Sequence, residues 1–198
     1  MTDLYDIVLV PDPVLKQKSE AVGEVNDAVR AQIDKMFSTM YDAPGIGLAA
    51  NQVGIANRVF VMDCAPDGWE YGGESDGAKI IQSTYRSGEG QEDEPDKHPI
   101  VMANPEIVWR SEDKSVFQEG CLSIPQQYAE IVRPASVRVK YLDYDGKVQE
   151  QEFSGLPAHC VQHEMDHLDG VLFVDYLSTL KRNMIIRKVE KLKKQQVL

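Results

Sequence analysis

The run His163-Glu164-Met165-Asp166-His167 is where this sequence offers chemistry. Histidines four residues apart lie on one helix face, near enough for both imidazoles to bind one metal ion. The glutamate between them can act as general base toward a water at that ion. A catalytic site of this kind needs a third protein ligand and an open fourth position. His159 continues the spacing, but each step of four rotates by about 40°, so His159 to His167 spans about 80° and one ion cannot take three ligands stacked over two turns. Cys160 lies a full turn from His163 and reads as a buried thiol packed beneath the site. His98 borders an acidic stretch and reads as solvated, and Cys64 follows a strand without partner residues. Cys121 stands apart, in Glu119-Gly120-Cys121-Leu122-Ser123-Ile124-Pro125 just after a strand pattern. Gly120 permits a tight backbone there and Pro125 ends the run, so the turn can hold a thiolate toward an ion that the helix presents.

The elements that must position these residues follow from periodicity. Val25, Val29, Ile33, Met36, Phe37 and Met40 recur at helical spacing over about 26–42, and Pro44-Gly45 stops that helix. A glycine-rich turn occupies 45–54, and a buried strand covers 58–62. Short strands are expected at 100–103, 107–110, 115–118 and 129–132. Asp145-Gly146 between alternating runs at 137–142 and 148–153 predicts a hairpin. A helix over 154–168 carries the two histidines, with Pro157 in its first turn and Gly170 past its end. A last helix spans about 178–195 with Leu180, Met184, Ile185, Val189 and Leu192 as its apolar stripe. Strands in the middle and helices near the ends predict an α+β fold, with short antiparallel sheets packed around the histidine-bearing helix.

The chain has 198 residues, 42% hydrophobic and 27% charged, which suits a single globular domain over 1–198. Three cysteines cannot all pair, the N-terminus lacks a signal-peptide pattern, and no stretch approaches the roughly 18 apolar residues of a membrane span. A cytoplasmic protein is therefore expected. Seven basic residues against Glu190 alone give 181–198 a charge of +6 and, from the net −11, leave −17 on 1–180. An acidic body of this kind does not suit DNA binding. Residues 67–96 hold six glycines, nine acidic residues and two basic ones, and read as a long exposed loop inserted in the domain.

Three segments together resemble the motifs of the peptide deformylases, in that family's order: Gly45-Ile46-Gly47-Leu48-Ala49-Ala50-Asn51-Gln52, Glu119-Gly120-Cys121-Leu122-Ser123 and Gln162-His163-Glu164-Met165-Asp166-His167. The resemblance runs from Pro11-Asp12-Pro13 through the last helix and fails over about 65–99, where the family usually has a shorter connection. It implies hydrolytic removal of the formyl group from the N-terminal methionine of new polypeptides. It also implies Cys121, His163 and His167 as metal ligands, Glu164 as proton carrier, and the Gln52 side chain and Leu122 N–H as donors to the developing oxyanion. On the substrate side it places Gly45, Gly47, Glu119 and Gly120 along an extended peptide, with Ile46, Phe117, Leu156 and Cys160 as candidates for the methionine pocket. Tyr128 stands where an arginine is frequent and can line the groove. His159 stands where an apolar residue is common, adding polarity to the pocket rim or facing solvent. Arg133 is expected to be a buried counter-ion for Glu119 or Asp166.

The ligand types alone suit Zn²⁺. The resemblance implies Fe²⁺ as the physiological ion, with Zn²⁺ or Ni²⁺ in purified protein. Formylated nascent peptides are the implied partners, and the basic last helix could meet ribosomal RNA near the tunnel exit. The competing function is a zinc endopeptidase of the HExxH type, whose third ligand would come from downstream, where only Asp169 and Asp175 follow.

Overall fold

The computed structural model describes residues 3–64, 69–83 and 97–195. The helices are α1 (Asp27–Asp42), α2 (Gly155–Leu168) and α3 (Thr179–Lys194). The strands are β1 (Gly47–Ala49), β2 (Val59–Asp63), β3 (Trp69–Ser75), β4 (Ala78–Ser83), β5 (Pro99–Arg110), β6 (Lys114–Glu119), β7 (Ala129–Pro134), β8 (Ser136–Leu142) and β9 (Val148–Ser154). They form a five-stranded sheet in the order β1-β2-β5-β8-β9 and a four-stranded sheet in the order β3-β4-β6-β7. The α+β expectation holds.

The unbroken apolar run of β2 has a direct cause. Phe60 and Met62 face α2, packing with Ala158, Val161, Met165 and Leu168. Val59 and Val61 face α1, packing with Val29, Ile33, Met36 and Met40. The sheet is covered on both sides, so alternation between polar and apolar residues is lost. The Asn26 side chain caps α1 by accepting from Val29 N–H at 3.1 Å. In α2 only Pro157 and Asp166 escape full burial, because the helix runs between the two sheets. Gly170, at φ +73°, lets the chain leave α2 closely over the backbone of Lys16.

Four expectations are corrected. The patterns at 100–103 and 107–110 are one strand, β5, whose pairing register shifts between Ala103 and Glu106. Asn104 takes φ +51° at that irregularity, and its side chain pairs with both backbone groups of Val22 at 2.7 and 2.8 Å, replacing the ladder that Pro105 interrupts. Within 67–96, residues 69–83 are a hairpin rather than a loop. Asp76-Gly77 turns it with both φ values positive, whereas at Asp145-Gly146 only the glycine is, and Ala78 and Ile81 are buried. The rest of that segment lies outside the described residues. The sheets are not wholly antiparallel, since β4 pairs β6 in parallel. On α3 the docking residues are Ile185 and Val189, whereas Leu180 and Met184 are exposed. The glycine-rich turn at 45–54 also contains β1 and a tight helical turn, Ala50–Val53.

Candidate metal centre

α2 presents His163 and His167 on one face, and the turn after β6 brings Cys121 against them. One ligand atom from each of the three lies within 4.8 Å of the others. Cys121 Sγ stands 3.2 Å from His167 Nε2. Beneath them, Glu119 Oε2 lies 2.9 Å from His163 Nδ1. A carboxylate only accepts hydrogen bonds, so this contact assigns the proton to Nδ1 and leaves the Nε2 lone pair for a ligand. Arg133 holds the carboxylate with Nε at 2.5 Å and Nη2 at 2.9 Å, and its Nη1 donates to Asp166 Oδ2 at 2.8 Å. The guanidinium thus serves both acids. Tyr176 donates its hydroxyl to Asp166 at 2.9 Å and stacks beneath the guanidinium. Burial pushes the Glu119 carboxyl up, but the hydrogen bonds from Arg133, His159 and His163 outweigh it and hold it well below the usual carboxylate range. His163 responds in the opposite sense. Burial lowers it, yet with no ion on Nε2 the hydrogen bonds with Cys121 and Glu119 hold it well above its ordinary value. Burial, and then His163, push His167 well below its ordinary value and keep it neutral. Asn51 Nδ2 donates to the His167 carbonyl and fixes that end of the helix.

Glu164 is buried, and among the described residues its Oε2 has no hydrogen-bond partner. Burial pushes its carboxyl up to about 7. Gln52 is anchored: its Oε1 accepts from Ala49 N–H at 2.8 Å, and its Nε2 donates to Ser123 Oγ at 3.1 Å and to Cys121 Sγ at 3.4 Å. Among the described residues the Leu122 N–H donates to no acceptor. Two imidazoles and a thiol make a donor set that fits a divalent ion with an open position, beside the unpartnered Glu164 carboxylate oxygen.

These groups open on a cleft of about 430 Å³. Gly45, Ile46, Gly47, Gln52, Phe117, Glu119, Gly120, Cys121, Leu122, Tyr128, Leu156, Cys160, His163 and Glu164 all border it, with His159. His167 stands behind Cys121 and is not part of the cleft wall. Residues 4–183 match the family model for polypeptide deformylase. The chain belongs to the polypeptide deformylase family. A peptide deformylase of Novosphingobium aromaticivorans is 50% identical over 191 residues, covering 96% of this chain and 98% of that one. The crystal structure of a deformylase from Ehrlichia chaffeensis matches with a TM-score of 0.82 at 37% identity, over 99% of this chain and 100% of that one. A deformylase structure from Legionella pneumophila matches with a TM-score of 0.78 at 38% identity, covering 98% of each chain.

Three sequence readings change at this level. Glu119 does not offer its carboxylate to a substrate, since Arg133, His159 and His163 occupy both oxygens. Cys64 is not isolated: its thiol and that of Cys160 both donate to the Ile46 carbonyl, at 3.9 and 3.5 Å. Asp169 pairs with Arg58 at 2.8 Å, and Asp175 pairs with Lys16 and the Leu172 N–H. Neither is in the ligand cluster, which removes the third ligand that an endopeptidase reading requires. Ser115 and Asn51 were missed as site residues. The only available signal for Ser115 was its place four residues before Glu119 on β6, on the same inward face.

Proposed function

We propose that this chain removes the N-formyl group from the N-terminal methionine of newly made polypeptides, releasing formate and a free α-amine. The observation that carries the reading is the grouping of Cys121, His163 and His167 with a buried, unpartnered Glu164 carboxylate at one end of a cleft. The histidine-bearing helix α2 and the Cys121 turn would hold one divalent ion, which when bound supplies Lewis acidity toward the formyl carbonyl and toward water. Fe²⁺ is the proposed physiological ion, with Zn²⁺ or Ni²⁺ as substitutes.

Glu164 takes the proton of the attacking water and returns it to the leaving nitrogen. Its carboxyl, raised to about 7 by burial, suits both halves of that task near neutral pH. The Leu122 N–H, with no acceptor of its own among the described residues, and a Gln52 N–H donate to the carbonyl oxygen as charge develops there. Gly45 and Gly47 make room for Leu122 and Glu164 beside the strand edge where an extended peptide would lie, and Tyr128, packed over Gly120, borders its path. Ile46, Phe117, Leu156 and Cys160 line the space for the methionine side chain.

Among the described residues no helix is long and apolar enough to cross a membrane. A formylated nascent substrate supports a cytoplasmic enzyme whose basic α3 meets ribosomal RNA near the tunnel exit. The deciding test is formate release from formyl-Met-Ala-Ser by protein purified anaerobically with its metal intact. Turnover of the formyl peptide but not of acetyl-Met-Ala-Ser is expected, and no formate release would overturn the reading.

A further inference from the structure

His159 meets neither of the environments its position suggested. It is 1% exposed, so it does not face solvent, and both ring nitrogens are occupied inside the protein. Nδ1 lies 3.2 Å from Glu119 Oε1, and Nε2 lies 2.9 Å from the hydroxyl of Ser115, which is itself fully buried. The carboxylate assigns the proton to Nδ1, and in the neutral ring Nε2 then accepts from Ser115. What the ring offers the cleft is therefore carbon, beside Phe117, whose ring meets it edge-on at 6.0 Å between centroids. Glu119 gives its other oxygen to His163 Nδ1. Two histidines, one turn apart on α2, thus hang from a single carboxylate.

We infer that Ser115 and His159 form a positioning arm of the metal centre: together they fix the tilt of the Glu119 carboxylate and so the direction in which His163 Nε2 points. The inference rests on the metal-centre reading above. Arg133 grips Glu119 as a fork, with Nε on Oε1 and Nη2 on Oε2. His159 supplies a second donor to Oε1 from α2, whereas Arg133 comes from β7, which opposes rotation of the carboxylate about the Arg133 fork. Ser115 in turn stops the His159 ring from flipping, because a flipped ring would place its carbons against both partners. Losing an outer partner of a metal-ligating histidine typically costs about 10–100-fold in metal affinity.

The test uses Co²⁺ as the probe, with affinity from competition against a chelator and ligand geometry from the visible absorption bands of the Co²⁺ protein. His159→Leu keeps apolar bulk and removes both hydrogen bonds. His159→Asn keeps a donor near the Nδ1 position. Ser115→Ala frees only the outer end and asks little of the fold. About 10-fold weaker Co²⁺ binding with shifted bands is expected in His159→Leu. His159→Asn should recover most of the affinity, and Ser115→Ala should fall between. Wild-type affinity and an unaltered spectrum in Ser115→Ala and His159→Leu would overturn the inference and leave His159 as packing. Should His159→Leu fail to fold, an unaltered Ser115→Ala is sufficient to overturn it. Because these readouts need no turnover, wild-type protein that binds Co²⁺ through its thiolate yet releases no formate would defeat the proposed function without touching this arm.

Discussion

The Glu164 carboxylate occupies the space that a β-carbon on Gly47 would need. Oε1 would overlap such an atom, the carboxyl carbon would stand 2.9 Å from it and Cys160 Sγ 3.0 Å. α2 is packed between two sheets and cannot retreat, so Gly47→Ala must turn the carboxylate. We expect kcat for formyl-Met-Ala-Ser to fall by about 10² or more, the scale of general acid–base catalysis. Metal content by elemental analysis should not change. Wild-type kcat in this variant would show that the glycine is needed only for backbone shape.

Glu164 also ties stability to pH once the metal is stripped. Its folded-state carboxyl lies near 7 because of burial, against an ordinary 4.5 in the unfolded chain. Between those values the folded protein keeps a proton that the unfolded chain has released, so stability falls as pH rises from about 4.5 to about 7. Above that window the ionised, buried group costs about 3 kcal/mol. In urea melts of chelator-treated protein, Glu164→Gln should exceed wild type in stability at about pH 8 and differ little at about pH 5. In the metal-loaded enzyme the same variant should keep its ion and lose most turnover. An equal stability difference at both pH values would refute the titration argument.

Two thiols near the centre should behave oppositely. The neighbouring Cys64 and then burial push the Cys160 thiol well above its ordinary value, so it stays protonated and poorly suited to ligation. Cys121→Ala should release the metal and lower the melting temperature, since ligand binding is part of the folding free energy. Cys160→Ala should retain the metal in full. Loss of metal from Cys160→Ala to the same degree would mean that the wrong thiolate had been assigned.

The β3–β4 hairpin should matter to stability, contrary to what its acidic composition suggests. Ile81 is 3% exposed, and β4 covers an edge of β6, the strand that carries Ser115 and Glu119 and leads into Cys121. Ile81→Ala should cost about 2 kcal/mol or more in urea unfolding, within the range for buried Ile truncations. Excision of residues 69–83 should weaken metal binding as well, by freeing that edge. Unchanged unfolding curves for Ile81→Ala would show that the hairpin merely rests on the surface.

On α3, Lys188, Lys191 and Lys194 are exposed, while Ile185 and Val189 dock the helix. Reversing these three lysines to glutamate should reduce co-sedimentation with ribosomes at low salt and leave small-peptide turnover intact, because phosphate contacts are lost and packing is not. Truncation after Met184 is a poorer probe, since it removes both docking residues. Co-sedimentation that survives the charge reversal would exclude the helix as the contact.

Local rules carried much of this protein. The spacing of His163 and His167 and the Asp145-Gly146 turn depend on neighbours a few residues away, and the sequence displays them directly. The three motifs together were enough to place the chain among the deformylases and to single out Cys121 over Cys160. What the sequence could not show were pairings set by long loops. Arg133 meets both Glu119 across the β6–β7 pair and Asp166 on α2, and the backbone of Val22 is completed by Asn104 from β5, because packing between elements sets these groups side by side. The hairpin at 69–83 was hidden for a related reason. Its few apolar residues gain their value only from β6, which lies more than thirty residues downstream of β4 and pairs with it in parallel. His159 shows the same limit at the site itself. Its residue type and position suggested a polar pocket rim, and only the approach of Ser115 and Glu119 from β6 turned that ring inward. A side chain's polarity belongs to the residue, but where its donors and acceptors are satisfied is decided by whatever the tertiary fold brings within about 3 Å of them.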